Sequence, residues 1–160
     1  MPERPRSPTI CVRPATESDL PRVIELIALG NVAGTQTEQL TSPLPESYVR
    51  ALRAIKATPG LEVYVAELEG EVIGTFQLST LPNLSNGGRP VAQLESVHVA
   101  PPFRGRGVGE QMLAFAIAES RAQGCFRLQL TSNKARADAH RFYARAGFVA
   151  SHEGMKLALV

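Results

Sequence analysis

The stretch Arg104-Gly105-Arg106-Gly107-Val108-Gly109 lies between a segment typical of a β-strand and a segment typical of a helix. Before it, Leu94-Glu95-Ser96-Val97-His98-Val99 has strand character and must end at Pro101-Pro102. After it, apolar residues recur at helical spacing: Met112, Leu113, Phe115, Ala116 and Ala118. Free backbone N–H groups at a helix start, together with the helix dipole, favour an anion. Glycines let a bulky anion approach the backbone and the two arginines add positive charge, so this turn predicts a phosphate or pyrophosphate site.

Two common nucleotide motifs do not match the turn. A dinucleotide-binding fold has its first glycine directly after a strand and an acidic residue about 20 positions later. Here Pro101-Pro102-Phe103 intervenes, and the segment 126–131 ends without an acid. A P-loop continues with Gly-Lys-Ser/Thr, whereas Glu110-Gln111 follows here. An ordinary surface turn also contains Gly and Arg, so the choice depends on the neighbouring motifs.

Three motifs in order along the chain resemble the GNAT superfamily of N-acetyltransferases. Val-x-Val-x-Pro followed by Arg-x-x-Gly-x-Gly resembles its acetyl-coenzyme A motif. Residues 139–148, Ala-His-Arg-Phe-Tyr-Ala-Arg-Ala-Gly-Phe, resemble the helix that ends in Tyr-x-x-x-Gly-Phe, and Asn133 follows a strand as in that superfamily. Residues 12–16 with Asp19-Leu20 resemble the first strand and helix. The resemblance extends from Ile10 to the C-terminus.

The resemblance implies acetyl-CoA as cosubstrate, held by the glycine turn and by the main chain of the strand before it. It also implies that Asn133 contacts the cofactor. For Arg136 the alternative interpretation is a solvent-exposed helix arginine, and for His98 it is a packing role. The predicted cofactor-binding set is Val97, His98, Val99, Arg104, Gly105, Arg106, Gly107, Val108, Gly109, Asn133 and Arg136. No metal site is expected, because the three histidines are scattered without partners at ligand spacing.

Acetyl transfer to an amine needs a neutral amine, a polarised thioester carbonyl and a stabilised leaving thiolate. With a pKa near 10.4, only about one lysine-like amine in a thousand is neutral at pH 7. Glu95 is the candidate base, because it precedes the cofactor turn on a strand where we expect it to alternate in step with Val97 and Val99. The resemblance implies a base at this position, often acting through water. The alternative is a structural acid paired with an arginine such as Arg127.

Tyr143 is the candidate acid for the leaving thiolate. A phenol with a pKa near 10 can donate to a thiolate with a pKa near 8.5 without a large mismatch. If a helix covers residues 133–146, then Asn133, Arg136, His140 and Tyr143 share one face at steps of three and four. A core tyrosine is the alternative.

Length and composition indicate one globular domain. The chain has 160 residues, of which 44% are hydrophobic and 20% charged, with a net charge of +2 that gives no argument for nucleic acid. No apolar run is long enough for a bilayer or a signal peptide. Cys11 and Cys125 are expected inside buried strands, which favours a reducing cytoplasm over a disulfide framework. We expect residues 1–8 to form a flexible tail and residues 9–160 a single acetyltransferase domain.

Hydrophobic periodicity and turn residues predict a mixed α/β fold, with a twisted, mostly antiparallel sheet flanked by about four helices. The resemblance adds splayed central parallel strands. The expected strands are 9–13, 61–68, 72–81, 91–99, 125–131, 148–151 and 155–160, and the expected helices are 16–30, 45–57, 107–123 and 133–146.

These observations predict direct transfer of an acetyl group from acetyl-CoA to a primary amine of a small molecule, in a ternary complex. A non-catalytic acyl-CoA sensor and a protein or peptide N-acetyltransferase remain alternatives. The last third resembles the aminoalkylphosphonate N-acetyltransferase branch, and Arg141, His152 and Lys156 would supply a basic pocket for an anionic amine. Arg141 alternatively pairs with Asp138. We expect no nucleic acid or membrane partner, and the C-terminal segment allows a homodimer.

Overall fold

The computed structural model describes residues 7–31 and 37–159. Residues 1–6 of the expected tail, residues 32–36 of the expected irregular segment and Val160 lie outside the described residues. The strands are β1 (Cys11–Pro14), β2 (Leu61–Leu68), β3 (Glu71–Leu81), β4 (Val91–Val99) and β5 (Leu128–Leu130). The helices are α1 (Leu20–Gly30), α2 (Glu46–Ala57), a single turn α3 (Ser85–Gly88), α4 (Val108–Ala122) and α5 (Ala137–Arg145). Short 3₁₀ turns cover Glu17–Asp19 and Pro101–Phe103.

The five strands form one sheet in sequence order, β1-β2-β3-β4-β5. The first four pair antiparallel, and β5 adds a parallel neighbour to β4. Glu69 and Gly70 connect β2 to β3 with φ of 51° and 84°, the left-handed pair of a tight hairpin turn. The mixed α/β fold class and the mostly antiparallel sheet are therefore confirmed.

Alternation along β3 separates the two faces of the sheet. Phe76 stacks on Tyr64 and meets the edge of Phe115 of α4, and a Cβ on Gly74 would contact Met112 of α4. Residues 74 and 76 therefore face α4. Residues 75 and 77 face the other way and, with residues of α1 and α2, line a cavity. The cavity and α4 thus lie on opposite faces of the sheet.

Several expected elements differ from the structure. Cys11 begins β1 and is exposed, because β1 is an edge strand, while Cys125 precedes β5 in a connecting segment; both are free thiols. The expected strands at 148–151 and 155–160 are wrong for the residues described. Met155, Leu157 and Leu159 alternate as in a strand, but a strand needs a hydrogen-bonded partner. Main-chain hydrogen bonds of residues 148–151 are local, such as that from Ser151 N–H to the Val149 carbonyl.

The chain divides into two compact units, residues up to Gln129 and residues from Leu130 onward. The first contains β1 to β4, α1 to α4 and the start of β5, and it holds the buried core. The second contains the end of β5, α5 and the C-terminal segment. None of the helices in the described ranges is long and apolar enough to cross a membrane.

Candidate active site

A β-bulge at Ser96 shapes the strand that leads to the glycine turn. Thr75 lies opposite His98 and Gln77 lies opposite Glu95, so Phe76 of β3 faces two residues of β4. Ser96 has φ of 51°, a value uncommon for a residue with a side chain. One extra residue in a strand shifts the alternation of everything before it and leaves main-chain groups without a ladder partner.

The bulge places Glu95 and His98 on the same face of the sheet. Residues directly opposite each other in an antiparallel pair share a face, so Glu95 lies with Gln77 and His98 lies with Thr75. Both Gln77 and Thr75 line the cavity beside α1 and α2. The expectation that Glu95 alternates in step with Val97 and Val99 is therefore wrong. The bulge sets those valines on the α4 face and turns Glu95 toward the cavity.

Glu95 itself is exposed. Within the described residues it makes no ion pair, and the guanidinium of Arg127 lies instead 5.0 Å from the ring centre of Phe126. The alternative in which Glu95 is held by Arg127 across the sheet is not what the structure shows. The carboxylate is available to a bound molecule.

His98 packs against the end of α1. A Cβ on Gly30 would overlap the imidazole ring of His98, so this position requires glycine. The close approach fixes the ring between β4 and the last turn of α1. This contact agrees with the alternative interpretation of the sequence, in which His98 has a packing role.

Among the described strands, none pairs with the second half of β4 on the side where β5 lies. Hydrogen bonds join Ala92 N–H to the Arg127 carbonyl and Phe126 N–H to the Pro90 carbonyl, both near the start of β4. Because β5 covers only Leu128–Leu130, no described strand continues this pairing along residues 95–99. Main-chain amides of Val97 and Val99 therefore lie on an edge that an extended ligand arm can use.

The start of α4 has the geometry of an anion site. Gly107 is the N-cap residue with φ of 81°, and no side chain caps this helix end within the described residues. Gly105 also has a positive φ, 69°. The first N–H groups of α4 thus lack an intrahelical partner, and the left-handed backbone that exposes them requires glycine at both positions.

Two arginines are fixed beside this helix end. Arg104 Nε donates to the Val99 carbonyl at 2.8 Å, which ties the turn to the end of β4. The Arg106 guanidinium lies 5.4 Å from the ring centre of Phe103. Both side chains are exposed, so their charge is available to a phosphate group.

An N-terminal segment borders the same turn. Gln111 of α4 donates to the Pro8 carbonyl at 2.7 Å and accepts from Ile10 N–H at 3.3 Å. A Cβ on Gly107 would overlap the Ser7 hydroxyl. Gln111 was not among the predicted site residues, although it lies one turn into the helix that follows the glycines.

In the second unit, Tyr143 lies in an aromatic cluster. Its ring centre is 5.0 Å from that of Phe142 and 5.5 Å from that of Phe148. Burial raises the pKa of Tyr143 above the ordinary phenol value, and the positive charge of Arg136 partly opposes this. The phenol therefore stays protonated at neutral pH, as a proton donor requires.

Asn133 and Arg136 lie in a turn before α5, and not on the helix that the sequence predicts over residues 133–146. Asn133 Oδ1 accepts from Ala135 N–H at 2.9 Å, and the Asn133 carbonyl lies 3.0 Å from His140 Nε2. Arg136 is the N-cap of α5. The predicted helix start at Asn133 is wrong, because the amide side chain closes a local turn that competes with the helix. His140 and Asn133 are nevertheless brought together.

The basic residues considered for an anionic acceptor do not converge on one point. Arg141 pairs with Asp138, as the alternative interpretation predicted, and His152 Nδ1 lies 2.7 Å from the Ser151 hydroxyl. Lys156 is exposed.

In the part of the chain that the structure describes, no group of three His, Cys, Asp or Glu residues is arranged to hold a metal ion.

The fold and these features agree with an acyltransferase of the GNAT class. The sequence matches the Acetyltransferase (GNAT) family over residues 31–148, which is more than half of the chain, so this chain belongs to that family. The resemblance drawn from the three motifs is confirmed.

Individual relatives extend the comparison. The chain is 29% identical over 150 residues to the glucosamine 6-phosphate N-acetyltransferase of Trypanosoma brucei brucei, covering 92% of this chain and 95% of that protein. It is 36% identical over 94 residues to the aminoalkylphosphonate N-acetyltransferase of Salmonella typhimurium, covering 59% of this chain and only 60% of that relative's length. A crystal structure described as a transcriptional regulator from Bacillus halodurans C-125 superposes with a TM-score of 0.89 at 39% identity, covering 94% of this chain and all of that one (100%).

Proposed function

We propose that this protein transfers an acetyl group from acetyl-CoA to the primary amine of a small molecule by direct attack in a ternary complex. The observation that carries the proposal is the α4 start: an uncapped helix end behind Gly107, with Arg104 and Arg106 beside it. Membership in the acetyltransferase family supports it. A cytoplasmic location, expected from the cysteine usage, belongs to the same proposal.

The residues present fit the diphosphate of coenzyme A. Gly107 has a φ of 81° and no side chain caps the start of α4 within the described residues, so the free N–H groups there are suited to phosphate oxygens. The free edge along Val97–Val99 would bind the pantetheine arm, since an extended arm with amides can pair with a strand edge. Asn133 and Arg136 are proposed as further contacts.

Glu95 is proposed as the base. Its exposed carboxylate faces the cavity side of the sheet beside Gln77, where an incoming ammonium group would be attracted and deprotonated, directly or through water. The neutral amine nitrogen then bonds to the thioester carbonyl carbon, the carbon–sulfur bond breaks, and the nitrogen releases its second proton to water. Main-chain N–H groups released by the Ser96 bulge would stabilise the developing oxyanion.

Tyr143 is proposed as the acid. Its raised pKa keeps the proton on the phenol, which it would donate to the leaving sulfur. No nucleophile is assigned to an acetyl-enzyme: Cys11 is on an exposed edge strand and Cys125 is in a connection before β5. This supports direct transfer.

The proposal is tested by measuring acetyl-CoA binding by calorimetry and thiol release over a panel of small amines and lysine peptides. Micromolar binding with turnover of small amines is the expected result. Binding without turnover of any acceptor would indicate a sensor instead of an enzyme, and turnover of peptides alone would indicate a protein acetyltransferase. Native mass spectrometry of the same sample tests the expected homodimer.

A further inference from the structure

We propose that the acceptor amine carries an apolar group of about four to six carbon atoms, which enters the cavity between α1, α2 and the sheet. This inference rests on the proposed function, because it assigns the acceptor of that same site. The cavity has a volume of about 110 Å³. An engineered apolar cavity of about 150 Å³ holds a benzene molecule, so a branched alkyl group or a compact ring is the matching size.

The inner walls of the cavity are apolar. Leu20 and Ile24 of α1, Leu52 and Ile55 of α2 and Val63 of β2 contribute side chains. None of the described residues that line it carries a charge. A phosphonate, a sugar phosphate or a polyhydroxylated ring placed here would lose its hydration without compensating partners. The cavity thus excludes the acceptor groups named for the relatives.

Four polar residues line the cavity: Tyr48 of α2, Thr75 and Gln77 of β3, and Ser96 of β4. The Thr75 hydroxyl already donates to the Tyr64 carbonyl at 2.9 Å, and the Tyr48 hydroxyl already accepts from Gln39 N–H at 3.0 Å. The side chains of Gln77 and Ser96 make no hydrogen bond with any described residue, and both residues line the cavity beside the bulge. These two groups are therefore free to bind a polar end of a ligand.

The carboxylate of Glu95 completes the arrangement. It shares a face with Gln77, directly across the β3–β4 pair. A molecule with a positive end and an apolar end therefore fits in one orientation, with its ammonium group at Glu95 and Ser96 and its hydrocarbon under the helices. That orientation also presents the amine to the strand edge proposed to hold the thioester.

Ala51 permits a sharp test, since it lines the cavity from an exposed position on α2. Ala51→Phe adds an aromatic ring to the cavity wall at a position that is exposed to solvent. Ala54 is also exposed on α2 but does not line the cavity, so Ala54→Phe is the matched control. Initial rates of thiol release are measured with 3-methylbutylamine, ethanolamine and 2-aminoethylphosphonate, with acetyl-CoA affinity measured by calorimetry for each variant.

In the parent protein, kcat/KM for 3-methylbutylamine should exceed that for either polar amine tenfold or more. Ala51→Phe should lower kcat/KM for 3-methylbutylamine at least tenfold, mainly through KM, while acetyl-CoA affinity and the Ala54→Phe values stay at the parental level. Ile55→Ala, which enlarges the cavity, should move the preference toward phenethylamine. This second variant keeps the test decisive if Ala51→Phe folds poorly.

Two results separate the failure of this inference from that of the proposed function. Efficient turnover of the polar amines, unchanged by Ala51→Phe and Ile55→Ala, would overturn the apolar acceptor alone. Absence of both acetyl-CoA binding and turnover with every acceptor would overturn the proposed function, and the inference with it.

Discussion

A single residue, Ser96, decides which side chains of β4 lie on the cavity face of the sheet. Its left-handed backbone creates the bulge that brings Glu95 and His98 to the cavity face. Nothing in the sequence marks this position, since serine has no special preference for positive φ. Simple alternation from Val97 and Val99 therefore placed Glu95 on the wrong face.

Replacing Glu95 tests its role as base. Glu95→Gln should reduce kcat strongly at pH 7 and recover part of it toward pH 10, because the neutral amine then becomes abundant without a base. The pH–rate profiles of the variant and the parent are compared. Glu69→Gln, at the exposed hairpin turn, is the control and should leave the profile unchanged. Superimposable profiles for Glu95→Gln and the parent would make Glu95 structural.

Tyr143→Phe should lower kcat about a hundredfold with little change in acetyl-CoA affinity, because the hydroxyl acts on charge that develops in the transition state. Because burial raises the pKa of Tyr143, the parent should keep this proton donor beyond the ordinary phenol pKa of about 10. Steady-state kinetics and calorimetry give the two readouts. Tyr64→Phe, which keeps its stacking on Phe76, is the matched control. Parental turnover in Tyr143→Phe would remove this residue from the mechanism.

Gly30→Ala should destabilise the protein by about 1–3 kcal/mol, because the new methyl group overlaps the His98 ring. In a His98→Ala background the same substitution should become neutral or stabilising by up to about 1 kcal/mol, since alanine is otherwise the better helix residue. Urea unfolding of the four proteins measures this reversal of sign. Equal effects in both backgrounds would show that His98 does not restrict Gly30.

At the scale of elements, the predicted bounds are correct where the hydrophobic pattern ends at a proline or glycine that terminates the strand. The bounds of β2 and β4 match their predictions, because Pro59-Gly60 and the hairpin at Gly70 delimit β2 and Pro101-Pro102 ends β4. The start of α5 was placed four residues too early, since the local bonding of Asn133 has no periodic signature. The prediction of two C-terminal strands was wrong for a different reason. Alternating apolar residues indicate which side chains share a face, but a β-strand also needs a neighbouring strand to which it is hydrogen-bonded.

The α4 start predicts a specific electrostatic effect. Arg106→Glu should weaken acetyl-CoA binding about tenfold or more at low salt, by replacing an attractive charge beside the diphosphate with a repulsive one. Arg121→Glu, in the last turn of the same helix, carries the same charge change and should leave the affinity unchanged. Calorimetry at two salt concentrations checks both. Equal losses in the two variants would indicate a general charge effect without a site at the helix start.

Comparing Arg106→Glu with Arg121→Glu tests the anion site more directly than a substitution of Gly107 does. A side chain at Gly107 would be strained by its φ of 81° and would overlap the Ser7 hydroxyl. Loss of binding there would mix a folding defect with loss of the site. Arg106 is exposed and, among the described residues, its guanidinium contacts only the Phe103 ring, so its replacement strains no backbone.

At the scale of the whole molecule, an ion cluster joins the first strand, the first helix and the sheet. Arg13 of β1 contacts both Asp19 oxygens at 2.8 and 3.0 Å and reaches Glu67 of β2 at 2.8 Å. Asp19 also accepts from Thr16 N–H at 2.8 Å. Thr16 and Asp19 thus form a capping box at the start of the 3₁₀ turn, and the sequence analysis does not predict Arg13 as a partner of Asp19. Nothing in the local pattern shows a contact between residues on separate elements.

This cluster should make the protein sensitive to acid. Hydrogen bonds from Arg13 lower the pKa of Asp19 from 3.8 to about 2. Burial opposes this shift, and hydrogen bonds from Thr16 add to it. Because the carboxylate is favoured in the folded state, its stabilisation is complete above the unfolded pKa and is lost as the pH falls from about 4 to 2. Asp19→Asn should therefore cost on the order of 2 kcal/mol at pH 7, and the difference from the parent should shrink toward pH 2. Urea unfolding across this pH range measures the difference in stability.

Glu25→Gln, which breaks the exposed pair with Arg22, is the control and should change stability by less than about 1 kcal/mol. An Asp19→Asn cost that stays constant from pH 7 to pH 2 would contradict the assigned pKa, since a group that titrates in this window cannot stabilise the fold equally on both sides of it.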